Sequence, residues 1–363
     1  MKGIPPASGM AYMIYWTVHT VAKAMGASAA ALNVEDLFIL GWLIQAFLSM
    51  VFMMKWQRSG SIRVIVEQFL TPIYEEVSEK SKRLRQIHKD LMVVIVVNFI
   101  AVATIVIAEW VVYLRTRSAD AIFEASPVLL RDIFHSFFLL YAQSVWHISL
   151  CIFIVVMKCM TLELGDFNGR FEHMLESHER KSSGIRRSEK KRISDRLLDA
   201  FVEHNKLADK VTKIDEIFRS YAFVMLMVGG AHTIFALISM IRQRSWIHLF
   251  FFIYDVCICM CHLFGVCISA AQVYVEYRIV KEHLQRHTQL WVDYDQKVYD
   301  IARMFIENAH SSSVGITIYG FTLITKSLIL SCLARIIPYV LICLQLQMGT
   351  TYESWRNSNM TTD

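Results

Sequence analysis

The side chains most able to do chemistry in this chain are its 13 histidines, its 8 cysteines and a few acidic groups set inside apolar runs. Their spacing argues against catalysis. Cys257, Cys259 and Cys261 alternate, and residues two apart on a helix point about 200° from one another, so these three cannot converge on one ion. They are expected to be small buried apolar residues, and no metal site is expected. The other cysteines, Cys151, Cys159, Cys267, Cys332 and Cys343, also fall within or against apolar runs, so no disulfide framework is indicated. His135 and His147 share one apolar run, and His232, His248 and His262 lie in others. Such histidines read as hydrogen-bonded interior residues. Gly-x-Ser-x-Gly, Gly-x4-Gly-Lys-Ser/Thr, His-Glu-x2-His and Gly-x-Gly-x2-Gly are all absent from the sequence. Neither an enzyme nor a cofactor is expected.

The elements that must carry these residues are membrane helices. The chain has 363 residues, 55% hydrophobic and 19% charged, with 22 Phe, 14 Tyr and 8 Trp, and a mean hydropathy of +0.40. Soluble domains hold nearer a quarter charged residues, and so aromatic a chain is not disordered. A helix crossing the hydrocarbon core needs roughly 20 mostly apolar residues. Seven runs qualify: Gly9 to Val34, Leu37 to Met54, Leu91 to Tyr113, Ile133 to Met157, Ser220 to Ile241, Ile247 to Val275, and Ser327 to Tyr352. The first is read as a span rather than a signal peptide, because Lys2 alone makes a poor basic leader.

Basic residues set the orientation, since cytoplasmic loops hold the excess of Lys and Arg. Segments 55–90, 158–219 and 276–326 carry most of them. The opposite side has only Arg115, Arg117, Arg131, Arg242, Arg244 and Arg356. The N-terminus is therefore expected inside and the C-terminus outside. The sequon Asn359-Met360-Thr361 agrees, because it can be glycosylated only on the outer side. The expected division is 1–54 for the N-terminus and spans one and two, 55–90 for a cytoplasmic helical extension, and 91–157 for spans three and four. Next come 158–219 as a cytoplasmic helical loop, 220–275 as spans five and six, 276–326 as a cytoplasmic anchor segment, 327–347 as span seven, and 348–363 as an extracellular tail.

Three of these cytoplasmic stretches carry apolar stripes at helical spacing. Residues 61–90 have one. Leu197, Leu198, Phe201, Val202, His204, Leu207, Val211 and Ile214 form the second. Tyr277, Val280, Leu284, Trp291, Tyr294, Val298, Ile301 and Phe305 form the third, broken only by His287. Stripes of this kind must be buried, which predicts one packed anchor domain. Arg180 to Arg192 reads as its flexible, solvated part. The fold class is thus an all-α membrane protein with seven transmembrane helices and cytoplasmic helical extensions forming an anchor. A G-protein-coupled receptor needs the opposite orientation, and its Asp-Arg-Tyr and Asn-Pro-x2-Tyr motifs are missing from the third and seventh spans.

The last run reads FTLITKSLILSCLARIIPYVLICLQLQ from Phe321, an uninterrupted helix candidate. Tyr339 and Gln345 within it resemble the insect gustatory receptor signature Thr-Tyr-x5-Gln-Phe, with Pro338 in place of Thr and Leu346 in place of Phe. The resemblance implies a chemosensory receptor in the plasma membrane of sensory neurons, related to insect odorant receptors. It further implies a homo- or heterotetrameric, ligand-gated, non-selective cation channel whose last span lines a central pore. The family's gate carries over to Ile342 and Leu346, beside Gln345. These three residues share one helical face, and a narrow apolar ring can close a pore by dewetting. Ordinary interhelical packing, with Gln345 as an interhelical hydrogen bonder, is the other reading of that face. Pro338 removes one helical hydrogen bond and favours a kink. Arg335 needs a wet vestibule or a partner, with Asp255 and Glu109 as candidates.

The resemblance also places a ligand site among the outer halves of spans two to six. Glu109, Trp110, Tyr113, His135, Tyr141, His232, Tyr254 and Asp255 are the candidate lining there. Aromatic walls with few polar groups suit a small organic tastant. Val340 stands where sugar-sensing relatives often have Glu, which argues against a sugar. The expected partners are that ligand, related subunits and the lipid bilayer, with no nucleic acid. The alternative is a non-channel membrane protein, a transporter or receptor scaffold, with the same helical layout.

Overall fold

The computed structural model describes residues 34–67, 126–179, 187–242, 246–287, 289–292, 295–311 and 314–360, with scattered helical positions between 82 and 107. Helix α1 runs Val34–Arg58 and the short α2 runs Ser61–Ile65. Three long helices follow: α3 over Ser126–Glu179, α4 over Arg187–Arg242 and α5 over Trp246–Arg286. The short α6 (Gln289–Val292) and the amphipathic α7 (Gln296–Ser311) come next. A small hairpin, β1 (Thr317–Ile318) and β2 (Thr322–Leu323), leads into α8, Lys326–Met360. Expected span one, Glu109, Trp110, Tyr113 and Tyr294 lie outside the described residues.

Among the described residues, three helical stretches are long and apolar enough to cross a membrane: Tyr141–Ser177, Ile193–Ile241 and Ile253–Arg286. Each lies in a helix far longer than a bilayer requires. The 56 residues of α4 extend about 84 Å at 1.5 Å per residue, against a hydrocarbon core of about 30 Å. The expected boundaries near residues 157, 220 and 275 therefore fall inside continuous helices. Helical continuity needs no change of backbone where a side-chain face turns from apolar to charged, so each membrane helix can grow directly into a polar extension. At the described positions between Met92 and Ile107, Val93, Val97 and Ile100 are exposed.

One continuous core runs along α1, α3, α4, α5 and α7. An aromatic cluster occupies its middle. Trp56 meets Phe218 at 4.9 Å and Tyr221 at 5.1 Å, and Phe153 packs on both Phe218 and Tyr221. The Trp56 indole donates to the Ile217 carbonyl, and the Tyr221 hydroxyl lies 3.1 Å from that of Ser149. Gly60, with φ of 70°, ends α1 in the left-handed conformation that favours glycine.

Phe167, Phe171, His204, Tyr277 and Phe305 fill the far end of the core, where α3, α4, α5 and α7 meet. The His204 ring stacks on Tyr277 at 4.4 Å, and its Nε2–H donates to the Tyr277 carbonyl at 3.1 Å. Burial pushes this imidazole down to about 4, against the opposing pull of that hydrogen bond. Nδ1 is buried with no hydrogen-bond partner among the described residues. On α7, Val298, Ala302, Phe305 and Ala309 recur at steps of four and three and are buried, while Arg303 and Glu307 on the other side pair with each other.

Several expectations are corrected. The stripe over Tyr277 to Phe305 is divided among three helices, α5, α6 and α7, with the first break at His287, whose Nδ1 lies 2.9 Å from the His283 carbonyl. The Trp291 indole donates to the Leu284 carbonyl at 3.0 Å, satisfying one of the free acceptors at the end of α5. Asp295 caps the start of α7 through the backbone N–H of Lys297, at 2.9 Å. Leu198 and Val202, counted in the second stripe, are exposed, because adjacent positions on a helix cannot all face one side. Arg187 to Arg192, expected to be flexible, is the first part of α4; its Arg, Lys and Glu are good helix formers. Cys259 is buried, whereas Cys257 and Cys261 are exposed on this subunit, as the 200° step between alternate residues demands.

The segment from Phe321 to Thr325 is not helix. Phe321 follows a tight turn in which Tyr319 and Gly320 both have positive φ, 53° and 83°, and Thr322–Leu323 is a strand. The β-branched run Ile316, Thr317, Ile318, punctuated by Gly320, is the sequence signal for it. At the other end α8 passes without interruption through Pro338 and beyond residue 347 to Met360, so the expected tail is largely helical.

Candidate functional site

Four helices converge on a buried polar layer in the middle of the bundle. From α3 come Trp146 and His147, from α4 His232, and from α5 Asp255, Cys259 and His262; α1 closes the side with Gly41. On α5, Asp255, Cys259 and His262 are spaced four and three apart, so they share one face. The Trp146 indole stacks on His262 at 4.2 Å and stands edge-on to His232 at 6.3 Å. His147 meets His262 at 4.4 Å, and its Nδ1–H donates to the Gln143 carbonyl at 2.8 Å. A Cβ at position 41 would come within 3.0 Å of His232 Nδ1, so glycine there makes room for the ring.

His232 Nε2 lies 3.5 Å from Asp255 Oδ2, and the Cys259 thiol lies 3.7 Å from the same oxygen. Asp255 thus has a partner on α4. Arg335, for which Asp255 was a candidate partner, is exposed on α8 instead. An imidazole beside a carboxylate limits the cost of placing that acid within a span.

Of the expected ligand lining, the structure brings His232 and Asp255 together. Tyr254 is half-buried beside Asp255. Tyr141 is exposed and directs its hydroxyl at the Met50 thioether, 3.9 Å away on α1. His135 lies in α3, its side chain outside the described residues, as Glu109, Trp110 and Tyr113 are in full. His147 and His262 were legible only as scattered interior residues, and Trp146 was not singled out by the sequence; their convergence needs the relative rotation of α3 and α5. Two open clefts lie elsewhere, and no expected ligand residue lines either. One, of about 580 Å³, lies among Met53, Gln57, Ile62 and Arg63, and the other, of about 500 Å³, among Phe167, Arg170, Met174 and Arg196.

Along α8, Ile337, Tyr339, Leu341 and Ile342 are all exposed by half or more, and Gln345 is exposed as well. Val340 points the other way and packs on Ile238 of α4. The side chain of Leu346 lies outside the described residues. Asn359 falls in the last turn of α8, its side chain likewise not described.

No protein-family model matches the chain, and no curated protein matches it in sequence. Solved structures do. The fold is similar to that of the insect olfactory receptor OR5 from Machilis hrabei, with a TM-score of 0.64 at 13% identity over 94% of this chain and 88% of that one. The same receptor in complex with eugenol gives a TM-score of 0.62, with the same identity and coverage. The chain therefore has the helical architecture of an insect olfactory receptor.

Proposed function

We propose that this chain is a subunit of a chemosensory receptor of the insect gustatory and olfactory type, in which four subunits surround a cation pore opened by a small organic ligand. Helix α8 carries this reading. It presents apolar side chains to the outside on several sides at once, Ile337, Tyr339, Leu341 and Ile342 among them. A lone subunit in water could not sustain such a surface. Lipid can cover one part and neighbouring subunits around an axis another, and the Tyr339 and Gln345 signature lies on this helix. In that assembly Ile342 and Leu346 form the apolar constriction, with Gln345 beside them. The expected topology, with the N-terminus inside and α7 in a cytoplasmic anchor, and a place in the plasma membrane of sensory neurons belong to the same proposal.

The ligand would enter the bundle from the outer side, toward the layer holding His232, Tyr254 and Asp255. Trp146 and His262 supply aromatic faces there, which suits a small aromatic molecule of the eugenol kind more than a sugar. Whole-cell recording of the expressed protein during a screen of volatile and bitter aromatics tests the function. Ligand-evoked cation current, together with a tetrameric mass for the purified protein, is the expected result. A monomer that carries no current with any ligand would leave a transporter or scaffold as the better description.

A further inference from the structure

We propose that His232, Asp255 and Cys259 form a binding site for a divalent transition metal of the zinc class, held between α4 and α5. The three side chains offer one nitrogen, one oxygen and one sulfur donor, all within 4.8 Å of one another. For tetrahedral zinc, with bonds of about 2.0–2.3 Å, two ligand atoms stand about 3.3–3.8 Å apart. The observed separations from Asp255 Oδ2 are 3.5 Å to His232 Nε2 and 3.7 Å to Cys259 Sγ. The first is longer than an ordinary N–H···O bond of about 2.7–3.2 Å, and both match the edges of a coordination tetrahedron.

Charge points the same way. Asp255 and Cys259, once its thiol has released its proton to solvent, supply two negative charges, and neutral His232 adds none. A divalent cation bound to them forms a neutral unit, which is what the interior of a membrane bundle tolerates. Asp255 and Cys259 are four apart on one face of a continuous helix, the spacing at which two side chains grip one ion. His232 reaches the same point from α4, with Gly41 leaving room behind its ring. His262 and Trp146 wall the cluster. Three protein ligands leave a fourth position for water or a donor atom of a bound small molecule. The proposal rests on this geometry and not on the channel reading.

The test uses purified full-length protein in detergent, titrated with Co²⁺ as a coloured substitute for zinc. One Co²⁺ per chain is expected, with a thiolate-to-cobalt charge-transfer band in the near ultraviolet and intense visible bands of tetrahedral cobalt, both removed by added Zn²⁺. Cys259→Ser should abolish the charge-transfer band, and Asp255→Asn should weaken binding by more than about tenfold. Cys257→Ser, on the exposed side of the same helix, should change neither. No saturable band in the unaltered protein overturns the site without recourse to any variant. A band that survives in Cys259→Ser, or that Cys257→Ser removes, overturns it equally. Because the readout is spectroscopic, its failure leaves the channel proposal standing, and absent currents leave the metal site standing.

Discussion

Asp215 on α4 holds Thr317 on β1 through both carboxylate oxygens: Oδ1 accepts the Thr317 backbone N–H at 2.6 Å, and Oδ2 accepts its hydroxyl at 2.8 Å. This clasp pins the hairpin against α4 just before the chain enters α8. The Thr317 hydroxyl also accepts the Gly320 N–H at 3.0 Å, which ties the clasp to the turn.

Removing that carboxylate should loosen the entry to α8. Asp215→Ala forfeits two charge-assisted hydrogen bonds in a part-buried place, a loss of about 2 kcal/mol or more. A lowered melting temperature of the detergent-solubilised protein is the expected reading. Asp215→Asn, which keeps one acceptor, should lose less. Equal melting of all three proteins would show that the clasp is not needed for stability.

His204 should make the packed region around it sensitive to acid. Its folded value of about 4 lies below the unfolded value of about 6.5, so the unfolded chain binds the extra proton first. The stability it contributes is complete above pH 6.5 and declines as pH falls toward 4, by about 3 kcal/mol at the lower end. His204→Gln retains a donor for the Tyr277 carbonyl but does not titrate. Its melting temperature should depend less on pH between 7 and 4.5 than that of the unaltered protein, and parallel profiles would exclude His204 as the cause.

In the channel reading, the apolar ring on α8 excludes water only while it is narrow. Leu346→Ala or Ile342→Ser should therefore raise cation current in the absence of ligand or change ion selectivity. Val340, packed on Ile238 of the same subunit, provides a comparison, since Val340→Ala should not have this effect. Normal surface expression with unaltered currents in both ring variants would remove these residues from the gate.

The expected topology makes Asn359 external and the segment around Gly184 cytoplasmic. Sequons inserted near Gly184 should remain unmodified in cells, whereas an acceptor in the C-terminal segment should gain a glycan. Glycosylation near Gly184 would reverse the orientation and with it the placement of the anchor.

The apolar runs Ile133 to Met157, Ser220 to Ile241 and Ile247 to Val275 were legible as helices because length and hydropathy are local properties, and the structure has helix at each. The buried stripe of Leu197, Leu207, Val211 and Ile214 was legible for the same reason. Thr317 and Thr322 were not read as strand, since two-residue strands leave no periodicity to detect and only the β-branched run closed by Gly320 hints at them. Asp215 looked like one solvated charge among many, because nothing near it in sequence names Thr317.

What the amino-acid order determined by itself is that the chain is helical, apolar beyond the needs of water, and striped where its extensions pack, since each of these follows from side chains within one or two helical turns. What only the tertiary structure decided is which stripes meet. His232 and Asp255 belong to different helices, and their 3.5 Å separation depends on how α4 and α5 are rotated and shifted along their lengths. No spacing along the chain encodes that, because helix rotation is set by the sum of all the packing contacts between the helices.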